Sequence, residues 1–127
     1  MAITQFLHSA IVVKNLERSA QFYGTLLGLP RLDRPLTFPG LWYGVGPYQL
    51  HLIQGDPQVP DLREAWGRHD HLALAVDDLA VYYDRLVTAG YPVQTSASGR
   101  SALFTQDPDG HVIELTQLPS TPTSRPS

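Results

Sequence analysis

In a chain with no cysteine a divalent metal must be held by nitrogen and oxygen ligands, and three histidines and one glutamate fall into a pattern here. His8 heads the apolar run of "QFLHSAIVV" and His71 heads that of "RHDHLALAV", 63 residues later. His51 in "YQLHLI" follows His8 by 43 residues, and Glu114 in "HVIELT" follows His71 by the same 43. A shift of 63 therefore lays one pair on the other, and with it Ile11 on Leu74, Val13 on Val76 and Leu16 on Leu79. Three imidazoles and one carboxylate form a nitrogen–oxygen set that suits zinc, nickel, cobalt, iron or manganese without choosing among them. With a divalent ion the set carries a net charge of about +1, which favours an anionic or enolising ligand stabilised by Lewis-acid action.

The elements that must position these residues are legible from hydrophobic period and punctuation. Residues 4–13 alternate and are rich in apolar side chains, which predicts a strand. Asn15 is placed to cap a helix whose stripe is Leu16, Ala20, Tyr23 and Leu27, with Gly28 and Pro30 ending it. Short strands are expected at 31–33, 40–45 and 48–54. The stretch "GDPQVPD" reads as a linker and "DLREAW" as one short helical turn or two. The pattern then restarts: a strand at 71–76, a helix capped by Asp77 or Asp78 with the stripe Leu79, Tyr83 and Leu86, Gly90 as its stop, and strands at 93–95, 102–105 and 112–117. "DPDG" marks the turn before the last strand. An internal repeat is thus the organising feature, an α+β chain of two βαβββ modules at about 3–54 and 70–118, a linker at 55–69 and a Pro/Ser/Thr-rich tail at 119–127 expected to be disordered.

Side chains alternate across a strand. In all four ligand-bearing strands the bulky branched residues have one parity and the candidate ligand has the other. The bulky parity is expected to lie under the helices and His8, His51, His71 and Glu114 on the opposite face. Ala10 and Ala73 leave free volume there for a substrate. An unpaired buried carboxylate at Glu114 costs several kcal/mol, and a cation is the simplest compensation.

Composition narrows the rest. The net charge of −3 gives no electrostatic case for nucleic acid or an anionic membrane, and no apolar run reaches the ~20 residues of a membrane helix. A signal peptide is not evident, and a cytoplasmic location is expected.

The stretches "LHSAIVVKNLERSAQFYGTLLG", "DHLALAVDD" and "DPDGHVIEL" resemble the vicinal oxygen chelate superfamily, over essentially residues 3–118. That family includes glyoxalase I, methylmalonyl-CoA epimerase, fosfomycin-resistance thiol transferases, extradiol dioxygenases and bleomycin-resistance proteins. The resemblance implies a cupped, half-barrel mixed sheet over one divalent metal, with His8, His51, His71 and Glu114 at the four metal positions. His51 is the departure: glyoxalase I has glutamate there and methylmalonyl-CoA epimerase glutamine, while the dioxygenases use a three-residue set. The resemblance implies a metal-dependent lyase or isomerase acting on a small oxygen-rich substrate, with His51 or Glu114 as the base. Two alternatives stay open, a non-haem iron extradiol-type dioxygenase and a non-catalytic drug-binding protein. A homodimer is also implied, with the site built within one chain or shared between two. Phe6, Ala10, Trp42, Gln49, Ala73 and Phe104 are expected to line the pocket, with Leu103 a further candidate. Of Trp42 and Tyr43, only one can face it. His69 is expected to be exposed and His111 to serve the turn. Arg18, Arg63, Arg68 and Arg100 are candidates for a substrate carboxylate.

Overall fold

The computed structural model describes residues 1–59, 65–96 and 100–119. Arg63, most of "DLREAW" and the tail beyond Pro119 lie outside them. The chain divides into two compact units, Met1–Asp61 with Asp107–Gly110, and Leu62–Gln106 with His111–Ser127. Each is built on a four-stranded mixed sheet that does not close into a barrel. No helix among the described residues is long and apolar enough to cross a membrane.

In the first unit β1 (His8–Val13) leads into α1 (Leu16–Ala20), and β2 (Arg31–Leu32), β3 (Gly40–Val45) and β4 (Tyr48–Gln54) follow. The sheet order is β1-β4-β3-β2, with β1 and β4 parallel. The strand expected from residue 4 begins only at His8: residues 1–7 are exposed, and the backbone hydrogen bond seen between them and β4 is that of the Leu7 carbonyl, which accepts from Gln49 N at 3.1 Å. The Asn15 side chain caps α1 by accepting from Arg18 N at 3.1 Å. After Ala20 the helix widens into a π-helical stretch, Gln21–Leu26, with Leu27 N donating to Phe22 O at 2.9 Å. Gly28 ends it at φ 75°, a conformation glycine adopts without strain. Ser19, Phe22, Tyr23 and Leu27 are the buried positions, with Tyr43, Leu50 and Leu52 from the sheet.

The second unit repeats the order: β5 (His71–Val76), α2 (Leu79–Thr88), β6 (Val93–Thr95), β7 (Ala102–Gln106) and β8 (Val112–Gln117), arranged β5-β8-β7-β6 with β5 and β8 parallel. Asp78 is the cap, accepting from Ala80 N at 3.2 Å, and Gly90 ends the helix at φ 87°. Leu86 is fully buried, whereas Tyr83 of the expected stripe is 43% exposed. Tyr83 instead edges an apolar cleft with Leu79, Ala80, Thr95, Ala102 and Leu103. Replacing Asp78 with alanine removes the cap and should cost about 1 kcal/mol, read as a lower urea midpoint at unchanged m-value.

Strand register makes the repeat physical. His8 pairs with Gln49 and His71 with Val112, and Ala10 with His51 and Ala73 with Glu114. The 63-residue shift therefore holds in β1, β4, β5 and β8. It does not hold throughout: Trp42 sits opposite His51, and Phe104, 62 residues on, sits opposite Glu114. The two helix stops, Gly28 and Gly90, are also 62 apart, while the caps Asn15 and Asp78 are 63 apart. The extra residue of the first module is therefore taken up inside its helix, and the π-helical stretch is where a helix accommodates one. The longer β7–β8 turn restores the shift.

Candidate metal centre

Each unit carries half of the sequence-derived set on one face of its own sheet. In the second unit His71 Nε2 and Glu114 Oε1 are 3.1 Å apart. His71 Nδ1 lies 2.6 Å from the carbonyl oxygen of His69. A carbonyl only accepts, so Nδ1 carries the proton and a neutral ring turns its Nε2 lone pair toward the carboxylate. Two lone pairs do not rest at that distance alone; a proton or a cation must stand between them. A histidine that donates one ring nitrogen to a backbone carbonyl and offers the other has the usual arrangement of a metal ligand. The donor set of this half therefore fits a divalent metal.

Glu114, 8% exposed, is otherwise secured by its second oxygen. Thr116 Oγ1 donates to Oε2 at 2.5 Å and the Arg100 guanidinium is 3.6 Å from it. Phe104 meets His71 edge-on, ring centroids 5.6 Å apart. Thr116 and the His69 carbonyl each lie two residues from a candidate ligand, Thr116 on the Glu114 side of β8 and His69 just before β5. His69 contributes through its backbone, not its imidazole.

In the first unit the rings of Trp42, His51 and His8 form a column, with Trp42 and His51 centroids 4.1 Å apart and His51 and His8 centroids 4.0 Å apart. Trp42 thus takes the ligand face, and Tyr43 the helix face, where its ring approaches Gly24. His51 Nε2 is 2.8 Å from Gln49 Oε1. The amide oxygen accepts, so Nε2 carries the proton and the His51 lone pair lies on Nδ1. His8 is exposed and His51 is buried.

Of the expected lining residues, Ala10 and Ala73 are the exposed cross-strand neighbours of His51 and Glu114. Phe6 is 60% exposed and rests edge-on against Tyr48. Leu103 is 1% exposed and points into the cleft beside α2, away from the ligand face.

Burial, then the neighbouring His8 and the Arg34 guanidinium, hold the His51 imidazole below its ordinary value of 6.5. The unfolded chain therefore binds more protons at His51 than the folded chain does. The stability this group contributes is complete above pH 6.5 and drains away as pH falls through its folded value. Urea unfolding of metal-free protein should show a lower midpoint at pH 5.5 than at pH 7.5, and His51→Gln should flatten that difference.

The "DPDG" turn between β7 and β8 is held by its own carboxylates. Asp107 Oδ1 accepts from Asp109 N at 2.9 Å and Oδ2 from the buried Tyr23 hydroxyl at 2.6 Å. Asp109 Oδ1 accepts from Lys14 N at 3.2 Å, and Gly110 takes φ 93°. Ligand-type atoms of Asp107, Asp109 and His111 lie within 4.8 Å of one another; the hydrogen bonds hold both aspartates in the turn, and Asp109 Oδ2 is buried without a hydrogen-bond partner.

Two βαβββ modules with histidine and glutamate on corresponding strands define a class, and comparison with known proteins agrees. The model of the Glyoxalase/Bleomycin resistance protein/Dioxygenase superfamily matches residues 5–115, and the chain belongs to that superfamily. Its relatives include a lactoylglutathione lyase of Neisseria meningitidis serogroup A, 34% identical over 91% of this chain and 92% of the relative. Among solved structures, TnmS3, an antibiotic binding protein from Streptomyces sp. CB03234, is 28% identical with a TM-score of 0.71 over 94% of this chain and 99% of that one. The fosfomycin resistance protein FosX from Mesorhizobium loti shares the fold at 20% identity, TM-score 0.73, over 98% of each chain.

Proposed function

We propose that the protein is a divalent-metal-dependent lyase or isomerase of the glyoxalase type, with His8, His51, His71 and Glu114 as the metal ligands. The observation that carries this reading is the His71–Glu114 pair: with the His71 Nδ1 proton held by the His69 carbonyl, Nε2 stands 3.1 Å from the carboxylate, a gap that a proton or a cation must fill. The lyase relative of Neisseria meningitidis supports the reaction class. When bound, the metal supplies Lewis-acid stabilisation of negative charge developing on a substrate oxygen.

The remaining work falls to the chain. The His69 carbonyl keeps the His71 proton on Nδ1, and Thr116 turns Glu114 so that Oε1 is offered to the site. Gln49 fixes the His51 proton on Nε2, leaving Nδ1 as the atom that ligates or takes a proton from carbon beside the substrate oxygen. Burial keeps that ring neutral near pH 7, the form a ligand or base requires. Trp42 limits the ring's rotation by stacking on it. A homodimer belongs to this reading, and sedimentation as a monomer at micromolar concentration would remove that part of it.

The test is an assay for formation and breakdown of lactoylglutathione. Turnover should vanish with EDTA and return with a divalent metal; turnover indifferent to EDTA contradicts the proposal. A second reading, ligand binding without turnover, is favoured by the Trp42–His51–His8 column and by the antibiotic-binding relative. It predicts tight binding of a planar aromatic ligand with no metal requirement.

A further inference from the structure

Arg34, in the connection between β2 and β3, carries a feature the metal set does not explain. Its Nε and Nη2 are buried and have no hydrogen-bond partner. These two N–H groups lie on one edge of the guanidinium and form the fork that grips a carboxylate side-on. The rest of the group is held. Nη1 donates to Leu36 O at 3.4 Å, and the Phe38 ring lies 4.5 Å from Cζ. Gly40 makes room for it, since a Cβ there would stand 3.0 Å from Nη2 and 2.5 Å from Leu52 O. No carboxylate pairs with Arg34 among the described residues. A desolvated guanidinium edge without an acceptor is costly, and such groups in native proteins find a water or an ion.

The place is also informative. Gly40 stands two residues before Trp42 in β3, and Trp42 is the cross-strand partner of His51. The ligand face of this sheet presents His8, His51, Trp42 and Gln49 and no acid. A cation beside a pair of metal-type histidines opposes metal binding unless an anion joins them.

We propose that the Nε/Nη2 edge of Arg34 is an oxyanion site that receives a carboxylate of the substrate. Of residues 33–39 only Arg34 is not exposed, and Phe38 and Leu36 are 48% and 43% exposed. The connection can therefore lift and admit the anion without uncovering core. Naming the carboxylate as the substrate's rests on the lyase reading; the oxyanion site itself does not require the metal.

The experiment titrates sodium acetate and inorganic phosphate into the protein at ionic strength held constant with chloride. Arg34 Nε–H is followed by proton–nitrogen NMR, before and after EDTA treatment. Acetate should saturate, move the Arg34 Nε–H resonance downfield, and do so with or without EDTA. Arg34→Met should weaken acetate binding by about tenfold or more, and Arg34→Lys nearly as much because an ammonium lacks the fork. If Arg34→Met fails to fold, Arg34→Lys and the wild-type resonance decide. Acetate binding equal in wild type and Arg34→Lys, or an unmoved Nε–H signal, overturns the site. A site that takes phosphate and refuses acetate overturns the carboxylate assignment. Anion binding that disappears with EDTA and ignores Arg34 substitution places the anion on the metal: the metal reading stands and this proposal falls. Arg34-dependent binding in a protein that takes up no metal does the opposite: the oxyanion site stands and the metal reading falls.

Discussion

Glu114→Gln should reduce divalent-metal affinity by more than about 100-fold, beyond the 10–100-fold typical of outer-shell changes, and abolish metal-dependent turnover. The amide keeps the shape of the side chain and can still accept from Thr116, so the loss isolates the charge. Stability should fall as well. Glu114 is a carboxylate 8% exposed, and its desolvation is offset by Thr116, His71 and a distant, half-exposed Arg100. The amide offers His71 and Arg100 no charge, and removing one partner of a buried ion pair is destabilising, so the urea midpoint of metal-free Glu114→Gln should fall below that of wild type. Thr116→Val supplies a graded control: it leaves the ligand and removes the hydroxyl that orients it, and should cost about 10–100-fold in affinity. Equilibrium dialysis with zinc measures both. Equal affinity in wild type and Glu114→Gln would remove Glu114 from the ligand set.

Asp107→Ala should lower unfolding free energy by about 3 kcal/mol, the largest stability loss expected outside the apolar core. The buried Tyr23 hydroxyl donates to Asp107 Oδ2 at 2.6 Å and the Asp109 amide to Oδ1 at 2.9 Å, and alanine removes both acceptors. A buried polar group left unpaired costs about 1–3 kcal/mol, more where charge was involved. Tyr23→Phe removes the donor alone and should cost about 2 kcal/mol. Metal content should be unchanged in both, because neither residue belongs to the proposed ligand set. Urea denaturation reads the first effect and elemental analysis the second; a change in stability under about 0.5 kcal/mol would show that this pair does not hold the turn.

Those two cases mark what could be read from the sequence. The strand set was visible because hydrophobic parity and the 63-residue repeat are local and periodic, and His51 and Glu114 came from the repeat rather than from any motif. The caps Asn15 and Asp78 and the stops Gly28 and Gly90 were visible because each has its own chemistry. What stayed hidden depends on contacts far along the chain. "DPDG" announces a turn, but nothing in it names Tyr23, 84 residues away, as the partner of Asp107. The π-helical stretch has no breaker to betray it, and it shows only as the 62-residue spacing of the two helix stops. Arg34 was passed over for Arg18, Arg63, Arg68 and Arg100 because its significance lies in what it does not touch, which no spacing reports. Phe6 was expected in the pocket by strand parity, and the strand begins two residues after it.

The proposed role of His8, His51, His71 and Glu114 as metal ligands is tested most directly by elemental analysis of the purified wild-type protein beside His71→Ala, with folding of both checked by circular dichroism. The expected result is a stoichiometric divalent metal in the wild type and its loss from a folded His71→Ala. A folded wild type that takes up no zinc, nickel, cobalt, iron or manganese at pH 7.5, or a His71→Ala variant that keeps its metal, would contradict it.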